Sequence, residues 1–373
     1  HLEASHRQTL DELKTALMLL DHPVDEAAPT HLFQDIRNAK TTAEIITLNQ
    51  RIPELIKILV KSGYRAENIN RLVTVNTDIV VKAFIDAAIR QIGPPPCPFA
   101  FLIMGSEGRR EQTLCTDQDN AIIFADDGGL DAQPYFQRVG DLVCTWLDNA
   151  GYALCTGSMM ASNPAWRQPC SGWVETFRGW IRNQEAQDLL HTKVFFDVRC
   201  AYGDATLVDT LRENIERELL AHERFFGQLA HDILQATPPL GLFGKIQLTT
   251  TADGRRGFDI KSAMTPIVDF ARIYSLRHGL DVTNTLDRLE ALARLKALPH
   301  QTVEDVVQIY SSLMQIRIEH QVDAMTAGRP PDNFIGPETL NLIEKRILKE
   351  SFSLIKDIQT RLSYDFTGMP GRP

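Results

Sequence analysis

The chain has 373 residues, 43% of them hydrophobic and 23% charged, which is the size of two or three domains and the composition of a folded globular protein. Its 39 basic and 48 acidic residues give a formal net charge of -9. This balance argues against nucleic acid as a partner, because nucleic-acid-binding proteins normally carry a basic face. The longest uncharged apolar stretch, residues 99–104, is far shorter than the roughly 20 residues that span a membrane, so we expect no membrane partner.

The six cysteines stand at positions 97, 115, 144, 155, 170 and 200, without a C-x-x-C pair. This spacing is typical neither of a zinc site nor of a small disulfide framework. We therefore expect reduced thiols in a cytoplasmic protein. No charged-then-apolar leader opens the sequence, and because the first residue is His1 rather than Met we expect the chain to be a piece of a longer protein.

Residues 1–95 are predicted to be an N-terminal helical region. Apolar residues recur at helical spacing from residue 42 to 59 and again from 68 to 92. The glycine and three prolines of residues 93–96 then exclude a continuing helix. We place a domain boundary at this point.

Residues 96–205 are predicted to form an α/β domain, because strands and helices alternate along them. Short continuous apolar runs are typical of buried strands, and longer amphipathic runs are typical of helices. The predicted elements are strands at 99–104, 120–125 and 152–160 and helices at 107–114, 134–150 and about 172–197.

Residues 206–373 are predicted to be a C-terminal helical domain, a bundle with a β-hairpin near residues 245–260. One long helix is expected from residue 207 to 236, ended by the prolines that follow it. The chain as a whole is therefore expected to be a mostly helical α+β protein, with an α/β core flanked by helical regions.

Two further helix starts are predicted in this domain from local signals. Thr302 followed by Asp305 resembles a capping box, and Gly328 is well placed to close the helix that it opens. Pro337 is a favoured first residue for a final helix that runs to about residue 362.

Residues 104–120 contain the candidate functional motif. Their sequence is Met-Gly-Ser-Glu-Gly-Arg-Arg-Glu-Gln-Thr-Leu-Cys-Thr-Asp-Gln-Asp-Asn. Gly105 lets a ligand approach the backbone closely. Ser106 and the amides after it are expected at a helix N-terminus, which favours a phosphate.

Asp117 and Asp119, two apart on an extended strand, point to the same side. Two ionised carboxylates so close repel each other unless a cation lies between them, and Mg²⁺ prefers carboxylate and phosphate oxygens.

A lone Asp-x-Asp is more often a solvated pair at the end of a strand. Here a Gly-Ser pair stands upstream, directly after a predicted buried strand. That context favours a site for a metal and a nucleotide over the solvated pair.

The order Gly-Ser, short helix, Asp-x-Asp on a strand resembles the signature of the polymerase-β-like nucleotidyltransferase superfamily. The fuller string G-S-E-G-R-R-E-Q-T-L-C-T-D-Q-D-N-A is similar to its DUF294 group. Members of that group often follow CBS and cyclic-nucleotide-binding domains and are related to the uridylyltransferases of the PII protein. Supporting stretches lie at residues 49–53, 196–199, 202–204, 257–262, 317–321 and 328–333. The resemblance implies a polymerase-β-like α/β core between two helical regions, with regulatory domains upstream of this chain.

The resemblance also implies roles for residues in the motif. Asp117 and Asp119 would hold Mg²⁺ or Mn²⁺. Gly105 and Ser106 would cradle the β- and γ-phosphates of a nucleoside triphosphate.

Outside the Gly-Ser and Asp-x-Asp pairs, the implied roles fall on charged residues. Arg109, together with Arg110, would neutralise phosphate charge, a task that suits the guanidinium fork. The family usually has a third acid that helps to activate the attacking hydroxyl, and Asp197 is the candidate because an arginine follows two residues later, as in the uridylyltransferases. The alternative is that Asp197 is a structural carboxylate paired with Arg199.

Lys261 corresponds to a lysine of the uridylyltransferases and would reach phosphate; a solvated lysine is the alternative. Asp259 beside it is a second candidate for the third acid. The uridylyltransferases follow that lysine with a glycine-rich run, whereas this chain has Ser-Ala-Met-Thr-Pro at residues 262–266. This departure bears on the identity of the substrate and on activity itself.

The motif and the resemblance together predict a Mg²⁺-dependent nucleotidyltransferase, which moves a nucleoside monophosphate from an NTP to an acceptor hydroxyl and releases pyrophosphate. The resemblance also implies a protein as the acceptor. The alternative is a non-catalytic nucleotide-sensing module that is coupled to regulatory domains upstream. A glycosyltransferase with an Asp-x-Asp motif is disfavoured, because it does not require the upstream Gly-Ser pair.

Overall fold

A computed structural model of the chain describes residues 27–183, 186–241 and 245–368. Helices predominate in these ranges, and the strands form two small sheets. The mostly helical α+β fold that the sequence predicts is therefore confirmed. Among the described helices, every one is too short or too polar to cross a lipid bilayer.

The described chain folds into two compact units. The first contains the described residues up to Trp173 together with Val198–Leu211, and the second contains Val174–Asp197 together with the described residues from Arg212 onward. The first unit holds a four-stranded sheet and the second a three-stranded sheet. The division of the sequence at residues 95 and 205 into three domains stays a prediction.

The first unit opens with helices α1 to α4. Their bounds are Ala27–Asn38, Thr42–Asn49, Ile52–Lys61 and Ala66–Ile92. A capping box starts α2, because the Glu44 N–H donates to the Thr41 side chain and the Glu44 carboxylate accepts from the Thr41 N–H, both at 3.2 Å. The predicted helix at 68–92 is confirmed as part of α4, whereas the run at 42–59 is two helices, α2 and α3, interrupted at residues 50–51. Residues 1–26 lie outside the described part of the chain.

The four-stranded sheet is the core of the first unit. Its strands are β1, Phe99–Ile103; β2, Asn120–Phe124; β3, Arg167–Pro169; and β4, Arg199–Gly203. They lie in the order β3-β2-β1-β4, with β1 antiparallel to both neighbours and β2 parallel to β3. Every residue of β1 and β2 is buried, as continuous apolar runs predict. The register pairs Ile103 with Asn120, so the residue after β1 and the residue before β2 lie side by side.

The predicted strand at residues 152–160 is wrong. Ala153 alone makes a bridge, to Asp117, and the strand that pairs with β2 is β3. The segment turns after the bridge, because the Ser158 N–H donates to the Cys155 carbonyl at 2.9 Å and Ser158 has a left-handed φ of 54°, which extended strands do not contain. The hydrophobic periodicity of the sequence also did not predict β4, because this strand is short and half-buried.

The predicted helix at residues 107–114 is also wrong in its extent. The helical turn α5 covers only Gly105–Gly108. Arg110 has a φ of 60°, which ends the turn. The longer helix α6, Ala132–Asn149, agrees with the prediction at 134–150.

Helices form most of the second unit and of the segments that lead into it. Their bounds are α7, Cys170–Asn183; α8, Ala186–Phe195; α9, Ala205–Ala221; α10, Arg224–Ile233; α11, Ile260–Arg277; α12, Thr285–Arg294; α13, His300–Thr326; and α14, Leu342–Thr367. Buried along most of its length, α11 packs against α10, α12, α13 and α14. The predicted hairpin is present as β5, Thr249–Thr250, and β6, Arg256–Asp259, and β7, Phe334–Ile335, adds a third strand.

Three helix boundaries in this region differ from their predictions. The single helix expected at 207–236 is two helices, because the Phe225 N–H donates to the His222 carbonyl at 2.9 Å and this tight turn interrupts the ladder. Helix α13 begins at His300 with Pro299 as its N-cap, so Thr302 lies inside the helix and caps nothing.

The start of the last helix was predicted at Pro337 and lies at Leu342. Pro337 is instead part of a turn that the Thr339 N–H closes on the Gly336 carbonyl at 3.1 Å. The true cap is Asn341, whose side chain accepts from the Glu344 N–H while the Glu344 carboxylate accepts from the Asn341 N–H.

Candidate active site

Gly105 touches the carboxylate of Asp119. The Met104 N–H donates to the Asp119 carbonyl at 2.9 Å, which joins the end of β1 to the approach to β2. Gly105 has a φ of +57°, and a Cβ placed on it would lie 2.5 Å from Asp119 Oδ2. Only glycine fits such an approach, so the backbone turn and the acid form one small cradle.

Asp117 and Asp119 face the same side of the chain. Between them Gln118 is buried and points the opposite way, where its side-chain amide donates to the carbonyls of Cys144 and Tyr152 at 3.0 and 2.9 Å. Both aspartates are half-buried. They lie in the extended segment just before β2 rather than inside the strand.

A third donor, Cys155, completes the group. Its Sγ and one carboxylate oxygen of each aspartate all lie within 4.8 Å of one another. Burial, then the charge of Asp119, raises the pKa of the Cys155 thiol to about 11, and the hydrogen bond between the thiol and Asp119 acts in the same direction. Carboxylate oxygens suit Mg²⁺, and a cysteine sulfur suits softer divalent ions. The residues present therefore fit a divalent cation.

Glu107 is a buried acid in the same turn. Burial raises its pKa to about 8 against the opposing charge of Arg199, and the charges of Asp78, Asp119 and Asp117 add to the rise. Its Oε1 has no hydrogen-bond partner among the described residues. Arg199 forms a two-bonded ion pair with Asp78, at 2.6 and 3.0 Å, and its Nε donates to the Glu107 carbonyl at 3.4 Å. Arg199 therefore links the Asp78 carboxylate to the backbone of the turn at Glu107.

The two arginines of the motif differ in accessibility. Arg109 Nε donates to Glu111 Oε2 at 2.7 Å, and both side chains are largely buried. Arg110 is exposed, and within the described chain its guanidinium has no ion-pair or hydrogen-bond partner. Arg110 is therefore the guanidinium of this segment that a ligand can reach most readily.

Asp197 and Lys261 belong to the second unit. Asp197 is fully buried and forms ion pairs with Arg272 at 2.6 Å and with Arg288 at 2.7 Å. The alternative of a structural carboxylate thus finds partners other than the expected Arg199. Lys261 is half-exposed in the first turn of α11, where Asp259 is the N-cap and accepts from the Ser262 N–H at 2.7 Å.

Sequence reasoning missed Cys155 and Glu107. Cys155 lies in a loop that backbone hydrogen bonds at Gln118 and Asn120 hold against the Asp-x-Asp segment. The spacing of residues within the motif gives no indication of this cysteine. Glu107 had a signal, because an acid between Ser106 and Gly108 directly after a buried strand has little access to water.

Two family models match the chain. Residues 50–187 match the one described as "Putative nucleotidyltransferase DUF294". Residues 223–366 match the one described as "Putative nucleotidyltransferase substrate binding domain". No curated protein matches the chain significantly. The first match contains the Gly-Ser turn, both aspartates and Cys155.

Proposed function

Because the chain belongs to the DUF294 group of nucleotidyltransferases, we propose that it transfers a nucleoside monophosphate from an NTP to an acceptor hydroxyl and releases pyrophosphate. The observation that carries this proposal is the contact between Gly105 and the Asp119 carboxylate, with Asp117 on the same side. A turn whose first residue carries no side chain, beside two acids, can take a triphosphate and a cation together.

In this proposal Asp117 and Asp119 hold Mg²⁺ or Mn²⁺, and Gly105 and Ser106 cradle the β- and γ-phosphates. A bound cation offsets the charge that develops on the transferring phosphoryl group. Arg110 supplies an accessible guanidinium for phosphate oxygens. These residues act by positioning and by electrostatics, the two main contributions in phosphoryl transfer.

Arg109 has a second task in this proposal beside its predicted phosphate contact. Its ion pair with Glu111 fixes the segment that leads from the turn to the two aspartates. Both groups are largely buried, so the pair is screened little by solvent and restrains the backbone. Arg110, exposed between the two members of this ion pair, is thereby held next to the turn.

We assign acceptor recognition to the second unit, because residues 223–366 match a family model described as a substrate binding domain. The acceptor is a hydroxyl on a protein. Lys261, half-exposed at the first turn of α11, contacts phosphate during the reaction. The activity belongs in the cytoplasm, where the six free thiols stay reduced, under the control of regulatory domains encoded upstream.

The test compares Asp117→Asn and Asp119→Asn with the unaltered chain. Calorimetry with ATP, GTP, CTP and UTP, each with Mg²⁺ or Mn²⁺, identifies the nucleotide. Each variant is expected to weaken binding of that nucleotide at least about tenfold, or about 1.4 kcal/mol, because one metal ligand is lost. Asp127→Asn, at an exposed acid after β2, is the matched control and should bind normally. Unchanged binding in both site variants would refute the assignment.

A nucleotide-sensing module without chemistry is the second candidate. It is favoured by the burial of Asp197 in ion pairs with Arg272 and Arg288, which withdraws the predicted third acid from solvent. Incubation with labelled NTPs and cell extract separates the two functions. An enzyme labels an acceptor and releases pyrophosphate, whereas a sensor binds the nucleotide and releases none.

A further inference from the structure

The loop that carries Cys155 is fastened to the Asp-x-Asp segment at two points. The Gln118 N–H donates to the Ala153 carbonyl at 2.9 Å, and the Asn120 N–H donates to the Met159 carbonyl at 3.0 Å. Residues 154–158 lie between these bonds, and they place Cys155 Sγ within 4.8 Å of an Asp119 carboxylate oxygen. Because both anchors are backbone bonds of the site segment itself, the position of the thiol follows the position of the acid.

The thiol is also enclosed on its own side. Within the loop the Ser158 N–H donates to the Cys155 carbonyl at 2.9 Å. A Cβ on Gly157 would lie 3.7 Å from Cys155 Sγ and 3.2 Å from Met159 Cε. Cys155 is 6% exposed. The Asp119 carboxylate thus has the Gly105 backbone as one neighbour and the buried Cys155 sulfur as another.

The surroundings favour positive charge at this point. Asp117 and Asp119 supply two carboxylates. Glu107, 5% exposed, is a buried carboxyl group on which the charges of both aspartates act, and its Oε1 lacks a hydrogen-bond partner among the described residues. A cation bound by the two aspartates would offset the charge that acts on this buried carboxyl.

Sulfur changes which cation such a site prefers. Mg²⁺ binds oxygen and requires nearly octahedral geometry, and a thiol adds nothing to its binding. Zinc-class ions accept thiolate and carboxylate in tetrahedral sites, with ligand distances of about 2.0–2.3 Å. Three donor atoms within 4.8 Å of one another can close on one such ion through small side-chain movements.

We propose that Asp117, Asp119 and Cys155 form a binding site for a thiophilic divalent cation of the zinc class, which competes with Mg²⁺. The proposal rests on the aspartate pair of the proposed function and adds the sulfur to it. On binding, the thiol releases its proton to solvent, and a sulfur–metal bond replaces the hydrogen bond to Asp119. The site would then be inhibited by thiophilic ions, since such an ion occupies the place of Mg²⁺.

The test uses Cd²⁺, a soft ion whose bond to a thiolate gives an ultraviolet charge-transfer absorption. The chelator-treated chain is titrated with Cd²⁺, alone and with excess Mg²⁺. Cys155→Ser keeps the size of the side chain and Cys155→Ala removes the donor altogether. Cys115→Ala, at the half-buried cysteine closest in sequence to Asp117, is the matched control. Thermal denaturation of each variant checks that it is folded.

The unaltered chain and Cys115→Ala are expected to gain the absorption at one equivalent of Cd²⁺, and excess Mg²⁺ should raise the Cd²⁺ concentration needed. Both Cys155 variants should lose the absorption and bind Cd²⁺ at least about tenfold more weakly. Loss of a residue that only supports a metal ligand already weakens metal affinity by about tenfold or more. Full absorption in a folded Cys155→Ser variant, or its loss in Cys115→Ala, would overturn the proposal.

Nucleotide binding by the same proteins separates this inference from the proposed function. Mg²⁺·NTP binding without the Cd²⁺ absorption would defeat the inference and leave the nucleotidyltransferase assignment standing. The Cd²⁺ absorption without any Mg²⁺·NTP binding would support the three-donor site and defeat the assignment.

Discussion

Gly105 is required both by the backbone conformation and by the candidate metal site, because its φ of +57° and its contact with Asp119 exclude any side chain. In a Gly105→Ala variant the added methyl group would lie 2.5 Å from Asp119 Oδ2 and displace a metal ligand. We expect Mg²⁺·NTP binding to weaken at least about tenfold. The left-handed φ adds a loss of about 1–2 kcal/mol in the free energy of unfolding. Calorimetry and thermal denaturation measure the two effects.

Gly179→Ala is the matched control for that substitution. Gly179 lies inside α7, and a Cβ on it would meet nothing within 4 Å. Since alanine suits a helix better than glycine, this variant should gain up to about 1 kcal/mol of stability and bind nucleotide normally. Normal binding by Gly105→Ala would show that the turn has no part in the site.

Asp197 is the residue for which the predicted and the observed surroundings differ most. Asp197→Asn removes the negative charge that Arg272 and Arg288 share in a buried position. We expect the free energy of unfolding to fall by about 3–5 kcal/mol, the usual result of breaking a buried ion pair. Denaturant unfolding measures this, with Asp209→Asn at an exposed acid as the control. A variant of normal stability that has lost transfer would instead assign Asp197 to the chemistry.

Among the elements, α4 fixes the loop of the candidate site. Asn70 on this helix donates from Nδ2 to the Gln112 carbonyl at 2.5 Å, and both residues are buried. Asn70→Ala leaves that carbonyl without its donor, so we expect a loss of about 1–3 kcal/mol and weaker Mg²⁺·NTP binding. Thermal denaturation is the measurement. Asn68→Ala on the same helix, half-exposed, should change neither; an equal effect of both substitutions would argue against a role for the loop contact.

Elements whose signals are local were predictable from the sequence. The apolar periodicity of α4 and the continuous apolar residues of β1 and β2 gave their positions within a few residues. Gly105, Asp117 and Asp119 were candidates for the same reason, since close approach and two-residue spacing are local properties. Cys155 was not, because its place depends on hydrogen bonds between segments far apart in the chain. Pro337 misled because a favoured first residue also suits a turn.

At the scale of the whole molecule, stability depends on pH through a buried acid. Burial, against the opposing charge of Arg199 and with the charges of Asp78, Asp119 and Asp117, raises the pKa of Glu107 from 4.5 to about 8. The folded chain therefore holds this proton more tightly than the unfolded chain does. The stabilisation is complete below about pH 4.5 and is lost as the pH rises through about 8.

We expect the free energy of unfolding to fall as the pH rises between about 4.5 and 8, and Glu107→Gln to remove this part of the slope, because an amide carries no proton to lose. Urea denaturation at a series of pH values measures the slope. Glu67→Gln, at a half-exposed acid in the first turn of α4, should leave it as it is in the unaltered chain. If the slope persists unchanged in Glu107→Gln, some other group carries the linkage, and the carboxyl beside the two aspartates is already ionised in the folded chain.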